Sequence, residues 1–169
     1  MKNLTLSVIV PFFNEKKYLK SSVERLISVS IFKEIILVDD NSTDNSYSIA
    51  ENLAHNVDNI QVLKNKVGKG KGAAVEYAKN HLTSTHMIIH DADLEYFPSD
   101  IVEMFDLAKN NPEVLILGTR FNGNKSRKNI YVRTELANRF LSFFFSVINL
   151  YKISDIASCY KMMPTEFFK

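Results

Sequence analysis

The segment His86-Met87-Ile88-Ile89-His90-Asp91-Ala92-Asp93 joins an apolar run to two carboxylates. The apolar run predicts a buried β-strand over residues 86–90, and the negative charge begins where that strand ends. Two carboxylates at the end of a central strand are costly unless a positive group compensates them. A divalent cation that carries a phosphorylated substrate is a natural compensation, so the segment predicts a metal site at the end of a strand.

The composition is typical of one globular domain. The chain has 169 residues, of which 46% are hydrophobic and 24% are charged. A domain of this size buries roughly 70% of its unfolded surface. The net charge is +2, from 21 basic and 19 acidic residues, and from this balance we expect no nucleic-acid partner. The single Cys159 excludes an internal disulfide and is typical of a reducing cytoplasm.

No segment predicts export or membrane crossing. Met1 leads directly into a strand-like segment without a cleavage site. The longest apolar stretch, residues 140–151, has 12 residues, whereas a spanning helix needs about 20. We therefore expect a cytoplasmic protein whose membrane contact, if any, is peripheral and at the inner face of the membrane.

Strand-like and helix-like segments alternate along the chain. Hydrophobic spacing predicts strands at residues 4–10, 34–38, 60–63, 86–90 and 114–117, with helices at 17–29, around 49–54, and at 70–82, 98–108 and 135–149. This alternation predicts right-handed βαβ crossovers and a mostly parallel α/β sheet flanked by helices. We expect a single domain over residues 1–169.

Polar loops follow four of the predicted strands, and ligands of open α/β sheets bind at the carboxyl ends of the strands. These loops should therefore converge on one edge of the sheet; they are Pro11–Glu15, Asp39-Asp40, Asp91–Glu95 and Gly118–Arg120. Alternate residues of an extended segment share a face, so Asp91, Asp93 and Glu95 are predicted to present oxygens to Mg²⁺ or Mn²⁺.

The glycine-rich segment Gly68-Lys69-Gly70-Lys71-Gly72-Ala73 fits the dinucleotide pattern G-x-G-x-x-A. It follows the third predicted strand, whereas the dinucleotide fingerprint follows the first, and it lacks the GK-[ST] ending of a P-loop. It therefore predicts a loop that opens a helix and brings its lysines, Lys71 among them, near an anionic ligand.

Two further features have both a structural and a functional interpretation. Asp39 and Asp40 either offset a helix dipole or accept hydrogen bonds from a ribose or a base, and the neighbouring loops favour the second role. His86 and His90 are spaced i, i+4, but on a strand this spacing only puts them on one face. We expect both histidines to be structural.

A basic run precedes a strongly apolar helix. Lys125, Arg127, Lys128 and Arg133 form the run, and the polar residues of the following helix fall three or four apart on one seam: Glu135, Asn138, Ser142, Ser146 and Asn149. A helix that is apolar on its other faces is either buried or lies in a membrane interface. Basic residues beside it can meet anionic head groups, so residues 139–152 are predicted to form an interfacial helix.

Five motifs, in order, resemble family 2 glycosyltransferases of the GT-A fold, and more narrowly the dolichyl- or polyprenyl-phosphate glycosyltransferases. They are Val8-Ile9-Val10-Pro11-Phe12-Phe13-Asn14-Glu15, Val38-Asp39-Asp40-Asn41-Ser42-Thr43-Asp44, Gly70-Lys71-Gly72-Ala73-Ala74, Asp91-Ala92-Asp93-Leu94-Glu95-Tyr96 and Gly118-Thr119-Arg120-Phe121. The late segment Ser154-Asp155-Ile156-Ala157-Ser158-Cys159-Tyr160-Lys161 is similar to one of the subgroup. The resemblance implies inverting sugar transfer from a UDP- or GDP-sugar to a polyprenyl phosphate.

The resemblance also implies roles for individual residues. A nucleotide-sugar site would comprise Pro11, Phe13, Asn14, Glu15, Asp39, Asp40, Lys71, Asp91 and Ala92. Asp93 and Glu95 would bind the divalent metal. The positive residues Arg120, Arg133 and Lys161 would face the phosphates of donor and acceptor.

The chain departs from this subgroup in its C-terminal part. It ends at Lys169, whereas relatives continue into further helices, so we expect part of the acceptor groove or membrane attachment to be missing. Alternatives therefore stay open. An acceptor that is a sugar hydroxyl of a surface polysaccharide would need a base, for which Asp155 is the candidate, although Asp155 also fits an ordinary helix cap. A nucleotide-binding remnant without turnover is a second alternative. A nucleotidyltransferase is a third, and the Asn14-Glu15 loop argues against it.

Overall fold

The computed structural model describes residues 3–119, 132–150 and 152–168, with side chains of the second range from Ala137 onward. The strands are β1 (Leu6–Phe12), β2 (Phe32–Asp39), β3 (Ile60–Lys64), β4 (His86–Ile89), β5 (Ile116–Leu117) and β6 (Lys161–Pro164). The α-helices are α1 (Leu19–Ser28), α2 (Ser46–Asn56), α3 (Lys71–Ala78), α4 (Pro98–Asn110), α5 (Val132–Asn149) and α6 (Thr165–Phe168). A 3-10 turn at Lys79–His81 follows α3.

The strands form one sheet in the order β3-β2-β1-β4-β6-β5. The first four strands are mutually parallel, which confirms the mostly parallel α/β sheet. Strand β6 runs antiparallel between β4 and β5. The carboxyl ends of β1, β2 and β4 therefore meet at one edge, and the loops after them can form a single site.

Helices cover both faces of the sheet. On one face, α1, α2 and α4 pack against the alternate strand residues Val8, Val10, Leu37 and Ile88. On the other face, Ala74, Val75 and Ala78 of α3 pack against a set that includes Ile9, Ile36 and Met87. Burial on both faces explains why these strands are almost continuously apolar.

Pro11 lies inside β1, which extends to Phe12 and so passes the predicted strand end at residue 10. Its register partner on β2 is Val38, but the pairing of β1 with β4 ends at Ile9. Beyond Ile9, β1 has a sheet neighbour on one side only. Proline lacks an N–H donor and is tolerated where no ladder bond is required on that side.

Strand β6 and the short helix α6 were absent from the prediction. The segment Lys161-Met162-Met163-Pro164 has no β-branched or aromatic residue, so its local pattern is not that of a strand. Its position comes from tertiary contact, because Met162 pairs with both Ile88 of β4 and Ile116 of β5. The predicted strand at 114–117 shortens to two residues at the edge of the sheet.

Helix α5 turns its polar seam inward. Ser142 is buried, and its Oγ accepts a hydrogen bond from the backbone N–H of Ile156 at 3.0 Å. Ser146 Oγ accepts one from the N–H of Ile153 at 2.9 Å. The apolar side chains therefore point outward: Phe140, Leu141, Phe143, Phe144, Phe145, Val147 and Ile148 are 39–68% exposed. No helix in the described part of the chain is long and apolar enough to cross a membrane.

Candidate active site

The loops after β1 and β2 are joined by the side chain of Asn14. Its Oδ1 accepts hydrogen bonds from the backbone N–H groups of Thr43 at 2.8 Å and Asp44 at 3.3 Å. Its own N–H donates to Ser42 Oγ at 3.0 Å. Asn14 adopts a left-handed φ of 55°, which asparagine tolerates better than most residues. The side chain of Asn14, a predicted nucleotide-sugar ligand, thus binds the neighbouring loop.

Asp40 joins the loop after β2 to the glycine-rich loop. Its carboxylate accepts hydrogen bonds from the N–H of Gly70 at 2.7 Å and from Nδ2 of Asn65 at 2.8 Å. The loops approach closely, since a Cβ on Gly68 would lie 3.3 Å from Cβ of Asn41. Both carboxylate oxygens of Asp40 are engaged within the protein. The glycine-rich loop leads from β3 into α3, as predicted.

Asp39 has a different environment from Asp40. It is the last residue of β2 and is fully buried. Its Oδ1 accepts a hydrogen bond from the N–H of Ser42 at 3.0 Å. Its Oδ2 is buried and has no hydrogen-bond partner among the residues that the structure describes. A buried acceptor without a donor is costly, so a ligand N–H or O–H that reached Oδ2 would stabilise the site.

The carboxylate loop after β4 is bent rather than extended. Residues 92–96 form consecutive bends, and Oδ1 of Asp93 accepts a hydrogen bond from the N–H of Glu95 at 3.0 Å. The expectation that Asp91, Asp93 and Glu95 alternate on one face of an extended segment was therefore wrong. Aspartate readily bonds the backbone N–H two residues onward, and this turn chemistry overrides the alternation.

Carboxylates from different loops nevertheless lie close enough to affect one another. Burial, followed by the negative charges of Asp93, Asp44 and Asp91, raises the pKa of Glu15. The pKa of Asp93 is raised chiefly by burial and further by Asp91, although its hydrogen bond from Glu95 opposes the shift. The loops after β1 and β4 thus concentrate negative charge at the carboxyl edge of the sheet.

Lys71, the first residue of α3, supplies a positive charge to this edge. Its Nζ lies 2.5 Å from Oδ1 of Asp91 and 3.4 Å from Sγ of Cys159. The Cys159 thiol is buried, and burial together with Asp91 raises its pKa to about 12, so it stays protonated. Lys71 was predicted to lie near an anionic ligand. In the structure the anion beside Lys71 is the carboxylate of Asp91.

The donor set fits a divalent cation shared with a phosphorylated substrate. No group of three or more His, Cys, Asp or Glu side chains within the described ranges is arranged to hold a metal. Mg²⁺ in phosphate-transfer sites is commonly held by one or two carboxylates, with substrate oxygens and water completing its shell. Burial, and after it the neighbouring carboxylates, raise the pKa of Glu15 and of Asp93, so a nearby cation would stabilise the charged form of both side chains.

Other predicted ligands occupy varied positions. Phe13 is 55% exposed beside Asn14, whereas Pro11 and Ala92 are buried. Lys161 donates from Nζ to the carbonyl of Ser158 at 2.7 Å. Asp155 is buried and does not precede a helix, because α6 begins at Thr165.

The rest of the predicted positive set falls outside the described side chains. Arg120 and the basic run Lys125, Arg127 and Lys128 lie outside the described residues. Arg133 lies in α5, but its side chain is outside the described set.

His86 at the start of β4 and His90 just after its end are both structural, as predicted. His86 Nε2 lies 2.9 Å from the carbonyl of Pro112. His90 is 1% exposed, with Nδ1 at 3.0 Å from the hydroxyl of Tyr160 and Nε2 at 3.2 Å from Ser22 Oγ. Burial lowers the pKa of His90 to about 4, so the ring is neutral near pH 7.

Sequence reasoning missed the residues beneath the carboxylate loop. Tyr96 is buried, and its hydroxyl accepts a hydrogen bond from the N–H of Cys159 at 2.9 Å. The rings of Tyr96 and Tyr160 lie 4.7 Å apart. Gly118 fits against this layer because a Cβ there would lie 2.8 Å from Cβ of Tyr160. In the sequence, Tyr96 ends the carboxylate motif and Tyr160 lies in the late segment 154–161. Neither position indicates that the two rings are in contact.

The family of the chain follows from comparison with known proteins. The model of Glycosyl transferase family 2 matches residues 7–169, nearly the whole chain. The chain belongs to this family. That membership confirms the resemblance to family 2 glycosyltransferases drawn from the five motifs.

Several curated relatives in this family carry dolichyl-phosphate names. The chain is 27% identical to a UDP-N-acetylglucosamine–dolichyl-phosphate N-acetylglucosaminyltransferase of Methanococcus voltae, over 94% of this chain and 68% of that protein. It is 34% identical to a dolichol-phosphate mannosyltransferase of Mycosarcoma maydis, over 68% of this chain and 42% of that protein. The chain thus spans from under half to about two thirds of these relatives' lengths.

Solved structures show the same fold. Glucosyl-3-phosphoglycerate synthase from Mycobacterium tuberculosis, in complex with Mn²⁺, UDP and phosphoglyceric acid, has a TM-score of 0.74 at 17% identity and covers 97% of this chain and 57% of that chain. A mannosyltransferase from Pyrobaculum calidifontis, in complex with GDP-Man and Mn²⁺, has a TM-score of 0.60 at 21% identity, over 68% of this chain and 35% of that chain. These likenesses confirm the GT-A fold.

Proposed function

We propose that this chain carries the donor site of an inverting glycosyltransferase that moves a sugar from a UDP- or GDP-sugar to a polyprenyl phosphate. The observation that carries the proposal is the meeting of Glu15, Asp91, Asp93 and Lys71 at the carboxyl edge of the sheet. The relatives from Methanococcus voltae and Mycosarcoma maydis, whose names specify dolichyl phosphate and dolichol phosphate, support the acceptor class.

The nucleoside end of the donor would lie on the loops after β1 and β2. Exposed Phe13 offers an aromatic face, and the Oδ2 of Asp39 offers an acceptor that lacks a partner among the described residues. Uracil and guanine each carry ring N–H donors, so this acceptor serves either base. The buried carboxylate discriminates against a ligand that cannot donate, because Oδ2 would then stay unsatisfied.

The diphosphate of the donor would lie between Lys71 and the carboxylate loop. Asp93, with Glu95 on the same loop, would hold Mg²⁺ or Mn²⁺, which supplies Lewis-acid stabilisation of the departing nucleoside diphosphate when bound. Asp91 orients the ammonium of Lys71 through their 2.5 Å contact. That ammonium is then placed to donate to a phosphate oxygen and to stabilise negative charge as the bond to the sugar breaks.

A phosphate acceptor suits a site without a strong base. The acceptor phosphate is already ionised near neutral pH, so it attacks the anomeric carbon directly and needs alignment rather than deprotonation. His90 does not serve as a base, because both ring nitrogens contact other side chains and the ring is buried. Arg120, Arg133 and Lys161 are the residues that we assign to phosphate alignment.

The outward apolar face of α5 supports contact with the membrane that holds such an acceptor. Phe140 and Phe144 stack 6.4 Å apart on this exposed face. The exposed cations Arg139 and Lys152 flank the apolar stretch. An apolar strip bordered by positive charge fits the surface of an anionic bilayer, where it lies in the interfacial plane.

A ligand screen tests the donor site. Thermal unfolding is followed with UDP-, GDP- and ADP-sugars, each with and without Mn²⁺, for the native chain and for Asp93→Asn. We expect a UDP- or GDP-sugar to raise the Tm only with Mn²⁺, and Asp93→Asn to abolish this shift while keeping the native circular dichroism. A full shift in Asp93→Asn would overturn the assignment of Asp93.

A further inference from the structure

The hydroxyl of Ser22 lies beneath the carboxylate loop. Ser22 is on α1 and is 1% exposed. Its Oγ is 3.4 Å from the backbone carbonyl of Asp91 and 3.5 Å from that of Asp93. It is also 3.2 Å from Nε2 of His90. One buried hydroxyl thus contacts both residues that carry the site's central carboxylates.

One set of hydrogen-bond directions satisfies all of these groups together. The two carbonyl oxygens can only accept, and they receive a donor when the single proton of Ser22 points toward them. In that arrangement Nε2 of His90 donates to Ser22 Oγ. A neutral imidazole carries one proton, so Nδ1 is an acceptor and takes the proton of the Tyr160 hydroxyl at 3.0 Å.

We infer that Tyr160, His90 and Ser22 form a directed hydrogen-bond relay that positions the loop carrying Asp91 and Asp93, with His90 held as the Nε2–H tautomer. The relay runs from the segment before β6, through the end of β4, to α1. It reaches the loop through backbone carbonyls, so these three are positioning residues and do not contact a substrate. That the relay serves donor and metal binding depends on the proposed function, whereas the tautomer and the loop order do not.

Other contacts show that α1 is a support for this loop. Arg25, three residues after Ser22, donates from a guanidinium nitrogen to the carbonyl of Leu94 at 3.4 Å. Its guanidinium also lies 5.4 Å from the ring centre of Phe97. The loop is thus held from one side by α1, and Tyr96 anchors its far end to Cys159.

The tautomer is tested directly by ¹⁵N NMR of histidine-labelled, ligand-free protein at pH 7. We expect the Nε2 resonance of His90 to be that of a protonated nitrogen and the Nδ1 resonance to be that of a bare one. In Ser22→Ala, Nε2–H loses its acceptor, so the Nδ1–H form should gain population by donating to Tyr160. A native protein with Nδ1 protonated would overturn the relay.

The positioning role is tested with a matched pair on one helix. Ser22→Ala is compared with Ser21→Ala, which changes the exposed neighbouring serine. Hydrogen exchange of the ligand-free protein should speed up at the amides of residues 91–96 in Ser22→Ala and stay native in Ser21→Ala. Equal exchange in the two variants, with both folded by circular dichroism, would overturn the positioning role.

Function adds a separate readout. Outer-shell changes commonly cost about tenfold or more in metal affinity, so Ser22→Ala should weaken Mn²⁺-dependent nucleotide binding by about that factor. His90→Gln, which keeps an amide donor, should retain more binding than His90→Ala. Binding equal to native in Ser22→Ala would refute the relay's service to the metal. If the native protein binds no nucleotide, the proposed function fails, while NMR and hydrogen exchange still decide the relay.

Discussion

The ammonium group of Lys71 lies 2.5 Å from Oδ1 of Asp91, so the glycine-rich loop and the carboxylate loop meet through one ion pair. Burial acts to lower the pKa of Lys71, but the hydrogen bond to Cys159 and the hydrogen bond and negative charge of Asp91 outweigh burial and raise the pKa, so the side chain stays charged. The pair is half-exposed, so its Coulomb contribution to stability is small. Its importance lies in placing a positive charge beside the carboxylates.

Replacing Lys71 should therefore affect the donor more than the fold. In Lys71→Met we expect the KM for the nucleotide-sugar to rise about tenfold or more, because one charge-assisted contact to the diphosphate is worth about 1.5–3 kcal/mol. The Tm should change little. Steady-state kinetics and thermal unfolding measure both, with the exposed neighbour Lys69→Met as control. An unchanged KM in Lys71→Met would show that this ammonium does not reach the donor.

Substitutions of the adjacent aspartates Asp39 and Asp40 should affect different properties, nucleotide binding for Asp39 and stability for Asp40. Asp40→Ala removes the acceptor for Gly70 N–H and Asn65 Nδ2, so the free energy of unfolding should fall by about 1–3 kcal/mol. Asp39→Asn keeps the shape but replaces one acceptor oxygen by a donor, so it should weaken nucleotide binding. Urea unfolding and calorimetric titration with UDP and GDP separate the two effects. A stable Asp40→Ala protein would contradict the loop-bracing role.

His90 should make the protein sensitive to mild acid. Its pKa in the folded state is about 4, against an ordinary value of 6.5. The stability that depends on its neutral form is present above pH 6.5 and is lost as the pH falls through 4, by about 3 kcal/mol in total. The loss between pH 7 and pH 4 should therefore be smaller in His90→Gln than in the native protein. Urea unfolding at both pH values measures this, with the exposed His55→Gln as control; identical losses in His90→Gln and native protein would contradict a buried neutral ring.

The phenylalanines of α5 should determine binding to lipid. We expect the protein to co-sediment with vesicles that contain phosphatidylglycerol, and the double change Phe140→Ser with Phe144→Ser to reduce partitioning at least about tenfold, the equivalent of 1.4 kcal/mol. Leu107→Ser on α4 is the control, since Leu107 is exposed on another helix. Equal partitioning of the double variant and the native protein would indicate that this face does not meet the membrane.

The fold could be predicted from the sequence where the hydrophobic periodicity was strong. The apolar strands β1 to β4 and the helices between them followed from their patterns, because burial on both faces of the sheet leaves a continuous apolar run. Strand β6 was not predicted, because its residues have little intrinsic preference for a strand. Pairing of Met162 with β4 and β5 determines its conformation. The bend after Asp91 was not predicted either. Here the Asp93 side chain accepts a hydrogen bond from the Glu95 N–H, and this bond favours a bent over an extended backbone.

The convergence of the polar loops on one edge of the sheet was predictable from the sequence, whereas the hydrogen bonds within and between these loops were not. Strand ends and carboxylates predicted which loops converge. They did not predict that the side-chain oxygens of Asn14 and Asp40 accept hydrogen bonds from neighbouring loops. They also did not predict that Ser22 lies beneath the carboxylate loop. Such roles depend on hydrogen bonds between residues 25–71 positions apart in the chain, and no local pattern encodes them.

The most direct measurement is the transfer itself, with radiolabelled UDP- and GDP-sugars, Mn²⁺ and polyprenyl phosphate. We expect label to enter the lipid fraction with the native protein, to be absent with Asp93→Asn, and to be absent when polyprenol without its phosphate is supplied. Label that entered a sugar hydroxyl acceptor instead would contradict the phosphate acceptor and point to Asp155 as a base. Donor binding without any labelled product would contradict catalysis by this chain.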